Sequence, residues 1–267
     1  MKNGFRVFLA ALIALGASWC GFVLAPVLQL GGTKQTTILN SPDLYPVGRP
    51  GEANQGLQVY RTHGCAACHT EQVQQSGVAC DLVLTSAGNN PMAVTNAISS
   101  LKLNDLDKDA ADAAVDKITA VGGKAEIHIV ATGPDVARGW GRRHSIAEDY
   151  LYDDPVQLGS VRIGPDLADV GARLPDANWQ LVHLYAPQSV VKDSAMPPFR
   201  YLFRIQKIGR APSPNALVFP KGFGPPAGYE VVPTARAQEL VAYLLSLRAD
   251  VPLHDAPFTQ PLAASKP

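Results

Sequence analysis

The sequence predicts a mainly α protein: a single N-terminal transmembrane helix, then a helical domain interrupted by a small α/β unit of βααβ order. Three observations predict it. Residues 7–30 are apolar apart from Ser18 and Gln29, with no charge between Arg6 and Lys34, a run long enough to cross a hydrocarbon core of ~30 Å. Helical periodicity recurs at 52–63 and again at 235–247, where Leu240, Val241, Leu244 and Leu247 share one face. Between them, residues 80–132 read as strand, helix, helix, strand.

The anchor comprises residues 1–33. A cleaved signal peptide has an apolar stretch of only ~7–15 residues before a small-x-small site; this run is longer and shows no clear site, so a retained anchor is expected. Lys2 and Arg6 precede it, which places the N-terminus in the cytoplasm and everything after Gly31 outside. Cys20 follows Trp19, not the small residue that a lipoprotein signal needs, and is expected to sit within the membrane. Residues 34–51, with Asn40, Ser41, Pro42, Pro46, Gly48 and Pro50, read as a linker. The soluble domain is expected over 52–267, with a Pro-rich tail from 205 that holds ten prolines and the 235–247 helix.

Composition narrows the function. Lys plus Arg number 23 against 23 Asp plus Glu, for zero formal charge, which excludes a general nucleic-acid binder. Charged residues make up 17%, below the roughly 25% usual in soluble chains. The four cysteines, Cys20, Cys65, Cys68 and Cys80, are too few to staple a chain of this length. They point to particular tasks.

His63-Gly64-Cys65-Ala66-Ala67-Cys68-His69 contains Cys-x-x-Cys-His, the attachment pattern of a c-type haem. Two thiols three residues apart can form thioethers with the two haem vinyl groups, and the next residue, His69, offers its imidazole to the iron. A redox dithiol also uses Cys-x-x-Cys, though usually in a βαβ setting. A structural zinc would need a second ligand pair, for which only Cys80 and scattered histidines remain. A second axial ligand is needed for a six-coordinate haem. Met196, within Ser194-Ala195-Met196-Pro197-Pro198-Phe199, suits that role, because the following prolines fix the backbone of a loop that can present a thioether sulfur.

A helix leading into Cys-x-x-Cys-His, then Gly164-Pro165-Asp166-Leu167, a methionine loop and a closing helix is similar to the order of class I cytochromes c. That resemblance implies that the first and last helices cross at Gly56 and Tyr60, and that the Pro165 carbonyl accepts a hydrogen bond from the free nitrogen of His69. Leu151-Tyr152-Asp153-Asp154-Pro155, Arg162 to Gly171, His183-Leu184-Tyr185-Ala186-Pro187 and Met196-Pro197-Pro198 resemble the monohaem subunit II of cbb3-type cytochrome c oxidases. The resemblance covers 52–77 and 138–203 with the anchor. It departs at Val156 and Leu158, where that family usually carries aromatic residues, and at the long insertion.

This resemblance implies one covalently bound haem c, held by Cys65 and Cys68 with His69 and Met196 on the iron, in a subunit that carries single electrons and does not itself reduce oxygen. Implied partners are a membrane-embedded catalytic oxidase subunit, a donor cytochrome c and membrane lipid, with the haem domain on the periplasmic side of a bacterial inner membrane. An anchored cytochrome of another respiratory dehydrogenase or reductase is an alternative, and a haem-based sensor or binding module is one of a different class.

In the insertion, a strand is expected at 81–85, helices at 90–101 and 105–121, and a strand at 125–130. Asp81 to Gly88 and the Ala-rich second helix resemble a shortened C-terminal domain of the bacterial ribosomal stalk protein. Its translation-factor binding does not carry over to an exported domain, and docking on a neighbouring subunit is the expected use. The aspartates at 105, 107, 109, 112 and 116 read as a solvated helix face. His128, His144, His183 and His254 read as core or surface histidines, and Arg162, Arg200 and Arg204 as candidate partners for haem propionates.

Overall fold

The computed structural model describes residues 3–259. Lys2, one of the two charges used to orient the anchor, and the tail beyond 259 lie outside them. Helix α1 (Gly4–Trp19) passes through a π-helical turn at Cys20–Leu24 into α2 (Ala25–Leu30). Together they form one 27-residue helix, long and apolar enough to cross a membrane. Pro26 lies in the first turn of α2, where its missing N–H costs least, and Cys20 lies on the helix surface.

The expected linker is folded. β1 (Thr36–Thr37) pairs antiparallel with β2 (Leu44–Tyr45), and this hairpin is fastened to the far end of the chain. Leu39 N–H donates to Pro252 O at 2.9 Å, and the Tyr45 hydroxyl donates to Asp149 Oδ1 at 2.7 Å. Arg49 pairs with Asp153. Asp149 is itself gripped by both terminal nitrogens of the fully buried Arg143, at 3.0 and 2.7 Å, the strong two-pronged geometry of arginine with carboxylate. Proline and asparagine content suggested a free segment, but side-chain hydrogen bonds to residues more than a hundred positions away hold it.

Helix α3 (Gly51–Thr62) follows, then a 3-10 turn at Cys65–Ala67. The insertion has the expected βααβ order with longer strands. β3 (Gly77–Ser86) pairs antiparallel with β4 (Lys124–Thr132), from Gly77 opposite Thr132 to Ser86 opposite Lys124. Between them lie α4 (Pro91–Ser99), capped by the Asn90 side chain on Ala93 N, and α5 (Lys108–Ala120), capped by Asp107 on Ala110 N. The second helix therefore starts at Lys108. Asp107 caps it, and Asp105 lies before it in a left-handed conformation (φ 54°). Ala111, Ala114 and Ile118 form its buried face.

A short helix α6 (Pro134–Ala137) leads out of the insertion. Its Asp135, fully buried, accepts from Gln74 N at 2.8 Å and pairs with Arg162 at 2.8 Å. The exit of the insertion is thereby stapled to the stretch just after His69. Helices α7 (Val170–Arg173) and α8 (Ala177–Tyr185) come next. The region from 205, expected as extended loop, contains an antiparallel hairpin: β5 (Phe203–Lys207) pairs with β6 (Tyr229–Pro233). Its five-residue strands are punctuated by neighbouring prolines, which hid them from a reading by composition.

Helix α9 (Ala235–Ser246) closes the domain, with Thr234 as its N-cap. It crosses α3 at Gly56, where a Cβ would collide with the Glu239 carbonyl and lie 2.7 Å from Tyr243 Cβ. The Tyr60 and Tyr243 rings meet beside this crossing, with centroids 5.2 Å apart. Leu57, Leu240, Val241 and Leu244, with Val182 and Leu184 of α8, fill the core around them.

Candidate functional site

The site begins where α3 stops. Gly64 takes a left-handed conformation (φ 69°), which a residue without Cβ adopts at little cost, and turns the chain into Cys65–Ala67. The turn closes through Cys68 N–H to Cys65 O at 3.1 Å and His69 N–H to Cys65 O at 3.0 Å. Both sulfurs are free. Burial pushes the Cys65 thiol up to about 12, opposite to the lowered value that makes a dithiol a nucleophile.

The strip 163–167 lies alongside this turn. Ile163 and Gly164 N–H both donate to Cys68 O at 3.0 Å, and Leu167 N–H donates to Thr70 O at 2.8 Å. Asp166, fully buried, takes the Thr70 hydroxyl at 2.5 Å and Gln72 N–H at 2.8 Å. Within this frame His69 Nδ1 lies 2.8 Å from Pro165 O. A carbonyl can only accept, so Nδ1 carries the proton and the Nε2 lone pair is left for a metal. Burial lowers the His69 proton affinity below its ordinary value, which favours this neutral form. Gly164 supports the imidazole from beneath: a Cβ there would come within 2.7 Å of Nδ1 and 2.8 Å of Nε2.

Met196, half-buried, lines a cleft of about 450 Å³ beside this frame. Its loop is held by Met196 N–H to Ser194 Oγ at 3.3 Å and Phe199 N–H to Leu184 O at 2.8 Å. Cys65, Cys68, His69, Pro165 and Met196 all line this cleft, so all five residues expected at the site are brought together.

Arg173, Trp179 and His183 also line it and were not expected there. Trp179 and His183, four apart on α8, stack with ring centroids 4.9 Å apart. His183 Nδ1 and Arg173 Nε are buried without a hydrogen-bond partner. The only signal in the sequence was the i,i+4 spacing of two rings, which does not say what they face. Burial lowers the His183 imidazole to about 4, keeping it neutral. None of the three arginines expected as candidate propionate partners is among the residues lining the cleft. Arg162 is committed to Asp135, Thr70 and Gln72. Arg200 lies over the Tyr185 ring, and Arg204 belongs to β5.

These residues fit a haem. An apolar cleft offers two thiols on one turn, an imidazole with one nitrogen fixed by a carbonyl, and a thioether in the same lining. Buried N–H groups without partners remain for the polar edge of a ligand. Among the described residues no three His, Cys, Asp or Glu side chains gather to hold a metal ion, so Cys65 and Cys68 have no zinc-type ligand pair beside them.

No curated protein matches the chain. Residues 131–247 match the family model described as cytochrome C oxidase, mono-heme subunit/FixO, the family that the sequence motifs resemble, and that family implies a haem cofactor and association with a catalytic oxidase subunit.

Proposed function

We propose that this chain is the membrane-anchored c-type cytochrome subunit of a terminal, cbb3-type cytochrome c oxidase, receiving single electrons from a donor cytochrome c and passing them to the catalytic haem-copper subunit. The observation that carries this reading is that Cys65, Cys68, His69 and Met196 line one cleft, in a chain whose residues 131–247 match the mono-haem family.

In that role Cys65 and Cys68 would hold the haem by thioether bonds, and the His69 imidazole and Met196 thioether would ligate its iron. When bound, the haem supplies a one-electron iron couple with no open position for substrate. Pro165 fixes the His69 tautomer. Gly164 keeps the ring in place by leaving no side chain beneath it. Leu174, Trp179 and Leu184 keep water from the cleft, which favours a sulfur ligand over hydration. The His63, Phe199 and Tyr201 rings cluster beside the turn, with centroids 5.3–6.1 Å apart. They give the mouth of the cleft an apolar rim suited to close approach of a redox partner.

The 27-residue helix anchors the domain as a single pass. Arg6 on its N-terminal side supports an outward, periplasmic haem domain.

The test is purification of the full-length chain in mild detergent, with identification of co-purifying subunits and haem types. A partner containing b-type haem, together with oxygen consumption, is expected. A lone c-type cytochrome, or a dehydrogenase partner, would move the chain to another respiratory complex.

A further inference from the structure

We propose that the β5–β6 hairpin and the loop joining its strands rest on an anionic lipid surface, seating one side of the domain on the membrane that holds its anchor. This rests on the reading of the 27-residue helix as that anchor. Between Asp193 and Glu230 stand Arg200, Arg204, Lys207, Arg210 and Lys221, with no Asp or Glu among them, in a chain whose formal net charge is zero. All of these cations are exposed, and among the described residues none of them forms an ion pair. The hairpin's own carboxylate, Glu230, is buried and already accepts from Ser213 N–H and Gln206 Nε2, both at 2.8 Å.

Apolar side chains are interleaved with these cations. Lys207 lies directly opposite Tyr229 across the hairpin, and Ile205, two residues before Lys207, shares their face and is 58% exposed. In the loop, Val218 and Phe223 are 72% and 51% exposed. Phe223 stands between Gly222 and Gly224, close after Lys221. The loop that carries them is pinned. Leu217 is buried, and its N–H donates to Val231 O at 2.9 Å. Asn178 of α8 holds the Val218 backbone on both sides, donating to its O at 2.9 Å and accepting from its N–H at 3.0 Å. Phe219 packs against the core. The backbone at 217–219 is thus fixed with the Val218 side chain left in the open, the mark of a contact surface.

Lysine and arginine on an outer strand also guard it against pairing with another sheet, which accounts for Arg204 and Lys207 but not for Val218 and Phe223 in a loop. An acidic protein would satisfy the cations and gives no reason for aliphatic and aromatic side chains set among them. Phospholipid matches both: anionic head groups meet the cations, and the boundary with the acyl chains takes Ile205, Val218, Phe223 and the Tyr229 ring. The bilayer is also close by, since only residues 31–35 separate α2 from β1.

The measurement is hydrogen-deuterium exchange, read by mass spectrometry, on the full-length chain with its anchor in lipid nanodiscs. With about a third phosphatidylglycerol in phosphatidylcholine, peptides covering 204–228 are expected to exchange on the order of tenfold more slowly than in phosphatidylcholine alone. The protection should vanish near 1 M salt, where charges are screened within about 3 Å. Peptides from α4 and α5 should exchange alike in both lipids. A triple variant, Arg204→Gln with Lys207→Gln and Lys221→Gln, should lose the protection, with peptides from α3 and α9 reporting that the core is unchanged. Equal exchange of 204–228 in the two lipids overturns the proposal, as does protection that the triple variant retains. Slow exchange in an assembled oxidase with none in anionic nanodiscs would give this surface to a protein partner, and overturns it too. A full-length chain that does not enter nanodiscs would instead remove the anchor on which the proposal rests.

Discussion

Gly56 of α3 packs directly on the backbone of Glu239 in α9, so close that a Cβ at 56 would enter the Glu239 carbonyl. The crossing brings Tyr60 against Tyr243 and sets the floor beneath Cys65. Gly56→Ala gains about 1 kcal/mol of helix propensity but forces the two backbones apart, an overpacking cost of typically 1–3 kcal/mol or more. A net loss of about 1–2 kcal/mol is expected, read as a lowered thermal midpoint by circular dichroism. An unchanged or raised midpoint would mean that the helices do not meet here.

Met196 has the only thioether lining the cleft among the described residues. Met196→Ala should leave covalent haem in place, open the sixth position to carbon monoxide and lower the midpoint potential, since thioether ligation raises it. A variant whose reduced spectrum and inertness to carbon monoxide match the parent would strike Met196 from the iron and favour a ligand-sensing role.

Asp135, fully buried, carries the Arg162 ion pair at 2.8 Å and the Gln74 N–H at 2.8 Å. Asp135→Ala leaves a guanidinium and a backbone donor unmet, and a loss of about 3 kcal/mol is expected. Proteolysis should then cut first around 74–77 and 132–138, where the insertion joins the domain. Uniform protection of both junctions would contradict the stapling role.

Asp169 is raised by burial, to about 6 from an ordinary 3.8. The folded form thus holds its proton more tightly than the unfolded chain. The folded state keeps this contribution below about pH 4, loses it as pH rises to 6, and gains nothing further above. Asp169→Asn retains an oxygen acceptor for Ala249 N–H, which Asp169 Oδ1 takes at 3.0 Å. The variant should be more stable than the parent at pH 7 by up to about 2 kcal/mol, discounted for partial solvation, and equal to it near pH 4. Urea unfolding at both pH values checks this, and a variant that is less stable at pH 7 would contradict it.

What could be read in advance follows from how local each signal is. The order of the βααβ insertion was legible, though its strands are longer and its second helix shorter than expected, because Asn90, Asp107 and the Gly122–Gly123 pair punctuate it through contacts a few positions apart. Cys65, Cys68 and His69 were legible from a motif whose spacing carries the chemistry and Met196 from its proline-flanked loop, while Pro165 came only from the family resemblance. The hairpin β5–β6 was not, since its strands are short and 21 residues of loop separate Lys207 from Tyr229. The docking of 36–50 was hidden for the same reason: Tyr45 meets Asp149 across 104 positions. Arg173 carried no signal of its own in the sequence, and only the folded chain brings it to the cleft that His69 lines.

The hairpin at 36–45 sits five residues beyond the end of α2, so Thr36 can lie no more than about 20 Å from Leu30 even on a fully extended chain. The short connection limits reach: whichever way the domain turns, it stays close to the end of the apolar helix. On the proposed reading, a collaborator embedded in the same membrane meets it at a high effective concentration, without a search through the open compartment.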